Sequence, residues 1–199
     1  VFIRGSLIET GDASATVSNI LASGGLFRLG FLADSIMLLS DVAIAILFYI
    51  LLKPVSKNLA LTAAAFRLTQ AAVLSVNLLN YYAVMLLLNN DSYSSALEGD
   101  QLHTLVMLFL DLHSHGYDLG LLFFGISSLV LGYLVIKARY IPAVLGYGLI
   151  AAAVVYLAGS YIRFLFPDYA PAFSAMYVIP LVAELAFCLW LLVIGVRKS

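Results

Sequence analysis

The sequence predicts an all-α fold, a polytopic bundle of transmembrane helices, from three observations: composition, segment length and loop charge. Hydrophobic residues make up 63% of the 199 residues and charged residues only 11%. A soluble domain is typically about 45–50% apolar and about 25% charged. Because no soluble core can hide so large an apolar share, we expect the chain to lie in lipid.

Five segments are apolar over the about 20 residues that a membrane-spanning helix needs. They lie at about 27–52, 59–88, 102–136, 142–166 and 171–196. The third is too long for one straight crossing at about 1.5 Å per residue, so we expect its lipid-embedded part at about 116–136. The segment 13–23 follows Asp12, a favourable N-cap residue, and is expected to form a short helix at the outer interface. The chain 1–199 is therefore predicted to be a single transmembrane helical domain.

Loop charges predict the orientation of these spans. The basic loop residues fall on one side of the membrane: Lys53, Lys57, Lys137, Arg139, Arg197 and Lys198. The acidic loop residues lie on the other side: Glu9, Asp12, Asp91, Glu98, Asp100 and Asp168. By the positive-inside rule the basic side is cytoplasmic, and so is the C-terminus. The opening stretch "VFIRGSLIETGD" resembles the last turn of a helix, so we expect a sixth span before Val1.

Composition and motifs argue against several functions. With 10 basic and 11 acidic residues, the sequence has no basic run of the kind that binds nucleic acid. The single cysteine, Cys188, allows no internal disulfide. The sequence contains no GxSxG elbow, P-loop or GxGxxG fingerprint, and its three histidines lie on one segment, which disfavours a bis-histidine haem. It therefore predicts neither haem nor nucleotide as a cofactor and leans away from an enzyme.

Ionisable residues within the predicted spans are the best pointers to function. Each costs about 2.5–3.5 kcal/mol on insertion scales, and such residues usually face the interior of a bundle. Asp34 and Asp41 are seven residues apart and share a helix face. Asp41 and Arg67 lie at similar predicted depths, so we expect a buried structural ion pair between the first two spans. Glu184 is a buried acid near the middle of the last span, and a proton-coupled carrier built on these groups remains an alternative.

The stretch "FLDLHSHGYDLG" concentrates two acids and two histidines just before an apolar run. At about 100° per residue, Asp111, His115 and Asp118 fall within about 60° of one another. His113 points nearly the opposite way, on the side where Gly116 allows close helix approach. The four residues are therefore predicted to form one stripe and a separate histidine.

Three interpretations of the stripe remain open. With Asp34 or Glu184 from neighbouring helices, Asp111, His115 and Asp118 could bind a divalent metal. Asp111 beside His115 could instead serve as a proton-linked or general acid–base pair. The third interpretation is a structural hydrogen-bond network that includes Arg163 or Asn77 and only fixes the packing.

These residues predict a polar pocket that opens toward the outer leaflet. Its expected lining and rim are Arg28, Asp34, Asp111, His113, His115, Asp118, Arg163 and Asp168. The leading hypothesis is a membrane protein that binds or senses a small or lipid-like ligand there. The alternatives are a metal-dependent intramembrane enzyme, such as a lipid hydrolase using Asp34, Asp111, His115 and Asp118, and an accessory subunit with no pocket chemistry.

Several stretches resemble one membrane-protein family. The run "GDASATVSNILASGGLFRLGFLADSIMLLS", together with "FLDLHSHGYDLGLLFFGISSLVLGYL", "YIPAVLGYGLI" and "FLFPDY", is similar to the bacterial integral-membrane family called domain of unknown function 4386. The resemblance runs from Gly11 to about Val196 and implies an inner-membrane protein of about six helices with no defined catalytic residues. The family pattern has His where His113 stands and often Tyr where His115 stands. The resemblance therefore weakens chemistry built on His115 and favours interest in His113.

Overall fold

The computed structural model describes residues 5–9 and 11–195, and helices dominate this part of the chain. The six longest are α1 (Ala13–Ala22), α2 (Gly24–Leu52), α3 (Lys57–Asn89), α4 (Gly99–Lys137), α5 (Ala143–Leu165) and α6 (Val178–Val193). Short helical turns occupy Asp91–Ser94 and the three successive segments Pro167–Tyr169, Ala170–Phe173 and Ser174–Tyr177. The described residues include no strand. The predicted all-α class is confirmed.

Five helical segments in the described part are long and apolar enough to cross a membrane: α2, α3, α4, α5 and Pro167–Val193. Their apolar side chains are mostly not buried within the protein. In the most apolar stretch of α2 only 17% of the residues are buried, and Leu39 is 74% exposed. So much exposed aliphatic surface requires lipid around it, because water would penalise each apolar group that it wets. The helices thus indicate an integral membrane protein.

Helix α4 is a single helix of 39 residues. At about 1.5 Å per residue it is about 58 Å long, against a hydrocarbon core of about 30 Å. The sequence predicts that the lipid-embedded part begins at about 116. In the structure the residues before 116 belong to the same unbroken helix. The residues of "FLDLHSHGYDLG" are interior positions of this helix.

The last span is less regular than its composition suggests. A helix was expected from about 171, but the regular part, α6, begins at Val178 after two 3₁₀ turns and one α-helical turn. Pro167 and Pro171 each lie in a first turn, where the missing N–H of proline is tolerated. The short turns between them replace a continuous α-helix at the start of the span.

The chain forms two packing units, each with its own core. The first packing unit comprises the described residues up to Leu39 together with Val73–Tyr117. In it α1 packs inward, with Thr16 and Val17 buried, and Asp12 caps α1 by accepting a hydrogen bond from the backbone N–H of Ala15 at 2.8 Å.

The second packing unit comprises Ser40–Ala72 together with the described residues from Asp118 onward. Its core centres on buried Leu134, Val135 and Leu149. The hydroxyl of Ser127 donates to the carbonyl of Ala63 at 2.8 Å, which satisfies a hydroxyl in an apolar surrounding. This unit contains the cavity described below.

Candidate functional site

Arg67, which lines that cavity, forms a buried charge pair with Asp41. The Nη2 group of Arg67 on α3 donates to Oδ1 of Asp41 on α2, and each side chain is only 12% exposed. The second carboxylate oxygen of Asp41 accepts from Nε2 of Gln70 at 3.2 Å. Arg67 and Gln70 are three residues apart on α3, so one helix face presents both donors to the same carboxylate.

The guanidinium of Arg67 also lies over two aromatic rings. Its central carbon is 4.9 Å from the ring centre of Phe124 and 5.9 Å from that of Phe48. Both distances are within the range of cation–π attraction. The Nε of Arg67 is buried and has no hydrogen-bond partner among the described residues. The charge is thus held by one carboxylate and two rings, with one donor unused.

Glu184 is the second ionisable group of this region. It lies on α6 and accepts a hydrogen bond from the hydroxyl of Tyr156 on α5 at 2.9 Å. The ring of Tyr156 in turn meets Phe124 edge-on, with ring centres 5.2 Å apart. Phe124 therefore contacts both the arginine and the tyrosine that holds the glutamate.

Arg67 and Glu184 line a cavity of about 960 Å³ within the second packing unit. Most of its wall is apolar, and the aliphatic and aromatic part includes Phe48, Leu51, Leu131, Leu149, Phe187 and Leu191. Exposed wall residues on α2 and α6 mark its open side: Leu47, Ile50, Cys188 and Leu192. The cavity extends to the ends of these helices, where Lys53, Pro54 and Tyr140 complete the wall. The volume of the cavity suits an apolar chain. The polar groups of its wall are Arg67 and Glu184, and Lys53 where the helices end.

The residues expected around an outer pocket lie elsewhere. Among the described residues, the wall of this cavity includes none of the six expected ligand-binding residues, Asp34, Asp111, His113, His115, Asp118 and Arg163. The cavity instead lies toward the basic loops, at the opposite helix ends from those expected. Its polar groups are Arg67 and Glu184, which the sequence suggested for structural or carrier roles.

His113 is buried in the first packing unit, with 1% of its surface exposed. Its Nδ1 is 3.2 Å from the carbonyl of Asn77, and the Asn77 amide donates back to the His113 carbonyl at 2.8 Å. Its Nε2 is 3.8 Å from Oδ2 of Asp34. A Cβ added at Gly116 would overlap the Asn77 side chain. His113 thus lies in a close contact between α3 and α4, on the glycine side that helical phase predicts.

The three residues of the predicted stripe have different surroundings. Asp111 and His115 are exposed, and Nδ1 of His115 is 2.9 Å from the backbone carbonyl of Asp111. Asp118 is buried in the second packing unit, and its Oδ2 is 3.0 Å from Nη1 of Arg163. The surface of α4 is covered at Asp118 and exposed at Asp111. Helical phase alone does not predict this difference in burial.

The described residues contain no group of three or more His, Cys, Asp or Glu side chains placed to hold a metal ion. Asp34 lies 3.8 Å from His113, and Asp118 pairs with Arg163. The predicted ligand set of Asp34, Asp111, His115 and Asp118 therefore gains no support from the geometry.

Sequence reasoning missed two parts of the site. The sequence analysis assigns no role to Tyr156, although its hydroxyl donates a hydrogen bond to Glu184. Phe124 was assigned no role, although it is the ring closest to Arg67. A lone tyrosine in the middle of an apolar span was the available signal, because a buried phenol usually finds a polar partner.

Comparison with known proteins confirms the resemblance. The model of the family described as "Domain of unknown function (DUF4386)" matches residues 1–195. An "Uncharacterized protein" of Archaeoglobus fulgidus is 30% identical over 164 residues, which is 82% of this chain and 82% of that relative. No solved structure matches. The chain therefore belongs to the family described as Domain of unknown function (DUF4386).

Proposed function

We propose that this membrane protein binds a lipid-like amphiphile whose apolar chain occupies the cavity between α2, α4 and α6. The observation that carries the proposal is the cavity itself: it has about 960 Å³ of space and a mostly apolar wall. Ligand sites commonly measure about 300–1,000 Å³ and combine an apolar lining with a few polar groups. Binding, without a reaction, is the function that this arrangement supports best.

The open side of the cavity supports a ligand that comes from the membrane. Leu47 on α2 and Cys188 and Leu192 on α6 are exposed and border it, and both helices are apolar enough to span lipid. An opening between two lipid-facing helices admits a molecule already dissolved in the bilayer. A water-soluble metabolite would have to cross the apolar wall.

Polar groups in the wall support an amphiphile over a pure hydrocarbon. Arg67 is compensated by Asp41 but keeps a buried Nε without a partner among the described residues. Glu184 lies on the same wall and is held by Tyr156. Fixed polar groups in an apolar wall orient a ligand more than they strengthen its binding.

The proposed site is in the cytoplasmic leaflet. The cavity ends at Lys53 and Tyr140, beside the basic loops that the positive-inside rule assigns to the cytoplasm. This replaces the outer-leaflet pocket expected from the acids and histidines. The geometry of the described residues does not favour a metal-dependent enzyme.

The proposal is tested by a substitution that blocks the open side of the cavity. Cys188→Trp places a large ring in the opening, whereas Leu185→Trp places the same ring on an exposed position of α6 outside the cavity wall. Both proteins are reconstituted in phosphatidylcholine nanodiscs, and saturable crosslinking of a diazirine-tagged fatty acid is measured. We expect about a tenfold loss of affinity for Cys188→Trp, equivalent to about 1.4 kcal/mol, and less than a twofold change for Leu185→Trp.

The proposal is refuted if crosslinking does not saturate. It is also refuted if both variants keep the same saturable crosslinking while their melting temperatures stay unchanged. That result would favour an accessory subunit without a ligand site. Mapping of the crosslinked residues adds a second criterion, since labelling should concentrate on Phe187 and Leu131.

A further inference from the structure

A second concave surface lies beside the cavity, at the ends of the helices. We call it the basic cleft; it measures about 630 Å³, and its wall includes Pro54, Ser56, Tyr133, Lys137, Arg139 and Tyr140. The first two follow α2, Tyr133 and Lys137 are in the last turns of α4, and Arg139 and Tyr140 are in the loop before α5. Three chain segments thus converge on it.

The charge of the basic cleft is uncompensated within its wall. Lys137 and Arg139 are both exposed, and no acidic residue is among the described residues of the wall. The ammonium of Lys137 lies 5.6 Å from the ring centre of Tyr133, which favours one position of that flexible side chain. The wall therefore offers two cations to an anion.

The basic cleft and the cavity share two wall residues, Pro54 and Tyr140. The hydroxyl of Tyr140 donates to the carbonyl of Leu51 at 2.7 Å, so the ring is fixed at the boundary between them. Burial raises the pKa of the Tyr140 hydroxyl above its usual range, so this phenol stays neutral at physiological pH. A molecule lying past this ring would place one end among apolar side chains and the other between two cations.

We propose that the basic cleft holds the negatively charged headgroup of an anionic phospholipid, one of whose acyl chains enters the cavity. This inference rests on the proposed function and adds the class of headgroup. Charge complementarity carries it: the apolar wall suits the chain, and Lys137 and Arg139 suit a negative head. Charges that only set the membrane topology require no concave surface beside a cavity large enough for an acyl chain.

The cytoplasmic leaflet supplies such a ligand. Its anionic lipids attract basic residues near the membrane surface by about 1 kcal/mol for each Lys or Arg. Lys53 lines the adjoining end of the cavity and increases the same field. We therefore assign the head to a lipid rather than to a free phosphate compound.

The experiment compares two lipids with identical chains. The tagged fatty acid is displaced from the purified protein in nanodiscs by phosphatidylglycerol or by phosphatidylcholine. Lys137→Gln, Arg139→Gln and the double variant are measured beside Arg28→Gln, which removes one exposed arginine of the first packing unit. Both faces of a nanodisc are accessible, so a change of membrane orientation cannot mimic an effect on binding.

We expect the wild type to prefer phosphatidylglycerol and the preference to fall about fivefold for each cleft charge removed. Arg28→Gln should leave it unchanged. Equal displacement by both lipids overturns the inference, as does an equal effect of Arg28→Gln. Displacement by inorganic phosphate at similar concentration overturns it in favour of a soluble ligand.

The outcomes separate this inference from the proposed function. If Cys188→Trp abolishes saturable binding of the fatty acid but the cleft variants keep the lipid preference, the cavity binds a chain and the headgroup assignment is wrong. If the wild type shows no saturable binding, the proposed function fails and the headgroup inference fails with it.

Discussion

The guanidinium of Arg67 is held by three side chains of the second packing unit: Asp41, Phe124 and Phe48. Gln70 occupies the remaining oxygen of the carboxylate. In a low-dielectric surrounding each charge of such a pair depends on the other, because neither can recover its hydration. The pair therefore stabilises the fold only as a unit.

Removing one member of this pair should destabilise the protein more than removing both. We expect Arg67→Met or Asp41→Leu alone to cost about 3–5 kcal/mol, because each leaves a buried charge without its partner. The double variant should recover most of the loss. Unfolding in mixed detergent micelles gives the free energies, and Arg28→Met serves as the exposed control. A double variant as unstable as the sum of the two single variants would contradict the pairing.

At the residue scale, the sequence predicts the depth of a side chain along its helix better than its partner on a neighbouring helix. Asp41 and Arg67 could be matched because both positions are fixed by counting from helix ends, and the structure places them in contact. Asp34 lies 3.8 Å from His113, a contact that the sequence did not indicate, whereas Asp118 pairs with Arg163, which the structural-network interpretation of the stripe includes. Those contacts depend on how each helix is rotated about its axis, and one sequence does not determine that rotation.

Helices α4 and α5 touch through their backbones at a pair of glycines. A Cβ added to Gly132 would lie 2.7 Å from the carbonyl oxygen of Gly146, and one added to Gly146 would lie 2.6 Å from that of Gly132. Small residues allow such close approach between helices in lipid. Leu131 and Leu149, near the two glycines, line the cavity, so this contact also positions part of the cavity wall.

Alanine at either glycine should push α4 and α5 apart. We expect Gly132→Ala and Gly146→Ala each to cost about 1–3 kcal/mol through overpacking and to weaken binding of the fatty acid. Gly25→Ala is the matched control, because nothing lies within 4 Å of the added Cβ. That control should be neutral or stabilising by at most about 1 kcal/mol. Equal stability of all three variants would show that the helices do not approach so closely.

The positions of the helices could be predicted from apolar composition. The irregular turns at the start of the last span could not. Apolar length places α2, α3 and α5 within a few residues of the predicted bounds. The late start of α6 at Val178 follows from backbone details around Pro167 and Pro171. Hydropathy cannot indicate such details, because it reports the apolar content of a segment and not the hydrogen-bond pattern of its backbone.

At the scale of the whole molecule, loop charge predicts one orientation. In a Cys188→Ser background, cysteine at Asn58 should react only from the cytoplasmic side, and cysteine at Ser92 only from the outside. Both residues are exposed and lie at opposite helix ends. The measurement is labelling of intact cells and of inverted vesicles with a membrane-impermeant maleimide. Cysteine at Val154, on a lipid-exposed face of α5, should react from neither side.

Reversal of this labelling pattern would place the basic cleft in the outer leaflet and contradict the orientation.

Fold class and family could both be predicted from the sequence. Composition determines the fold class, and long similar stretches determine the family. The cavity could not, because it is the space left between side chains of α2, α4 and α6. The acidic residues and histidines predict a pocket at the other ends of the helices.

The most direct test of lipid binding is an experimental density map of the protein in nanodiscs that contain phosphatidylglycerol. We expect elongated density in the cavity between Leu131 and Phe187, continuing past Tyr140 to a head between Lys137 and Arg139. Side chains that close this space, with lipid density beside Asp34 and His113 instead, would contradict the proposed site.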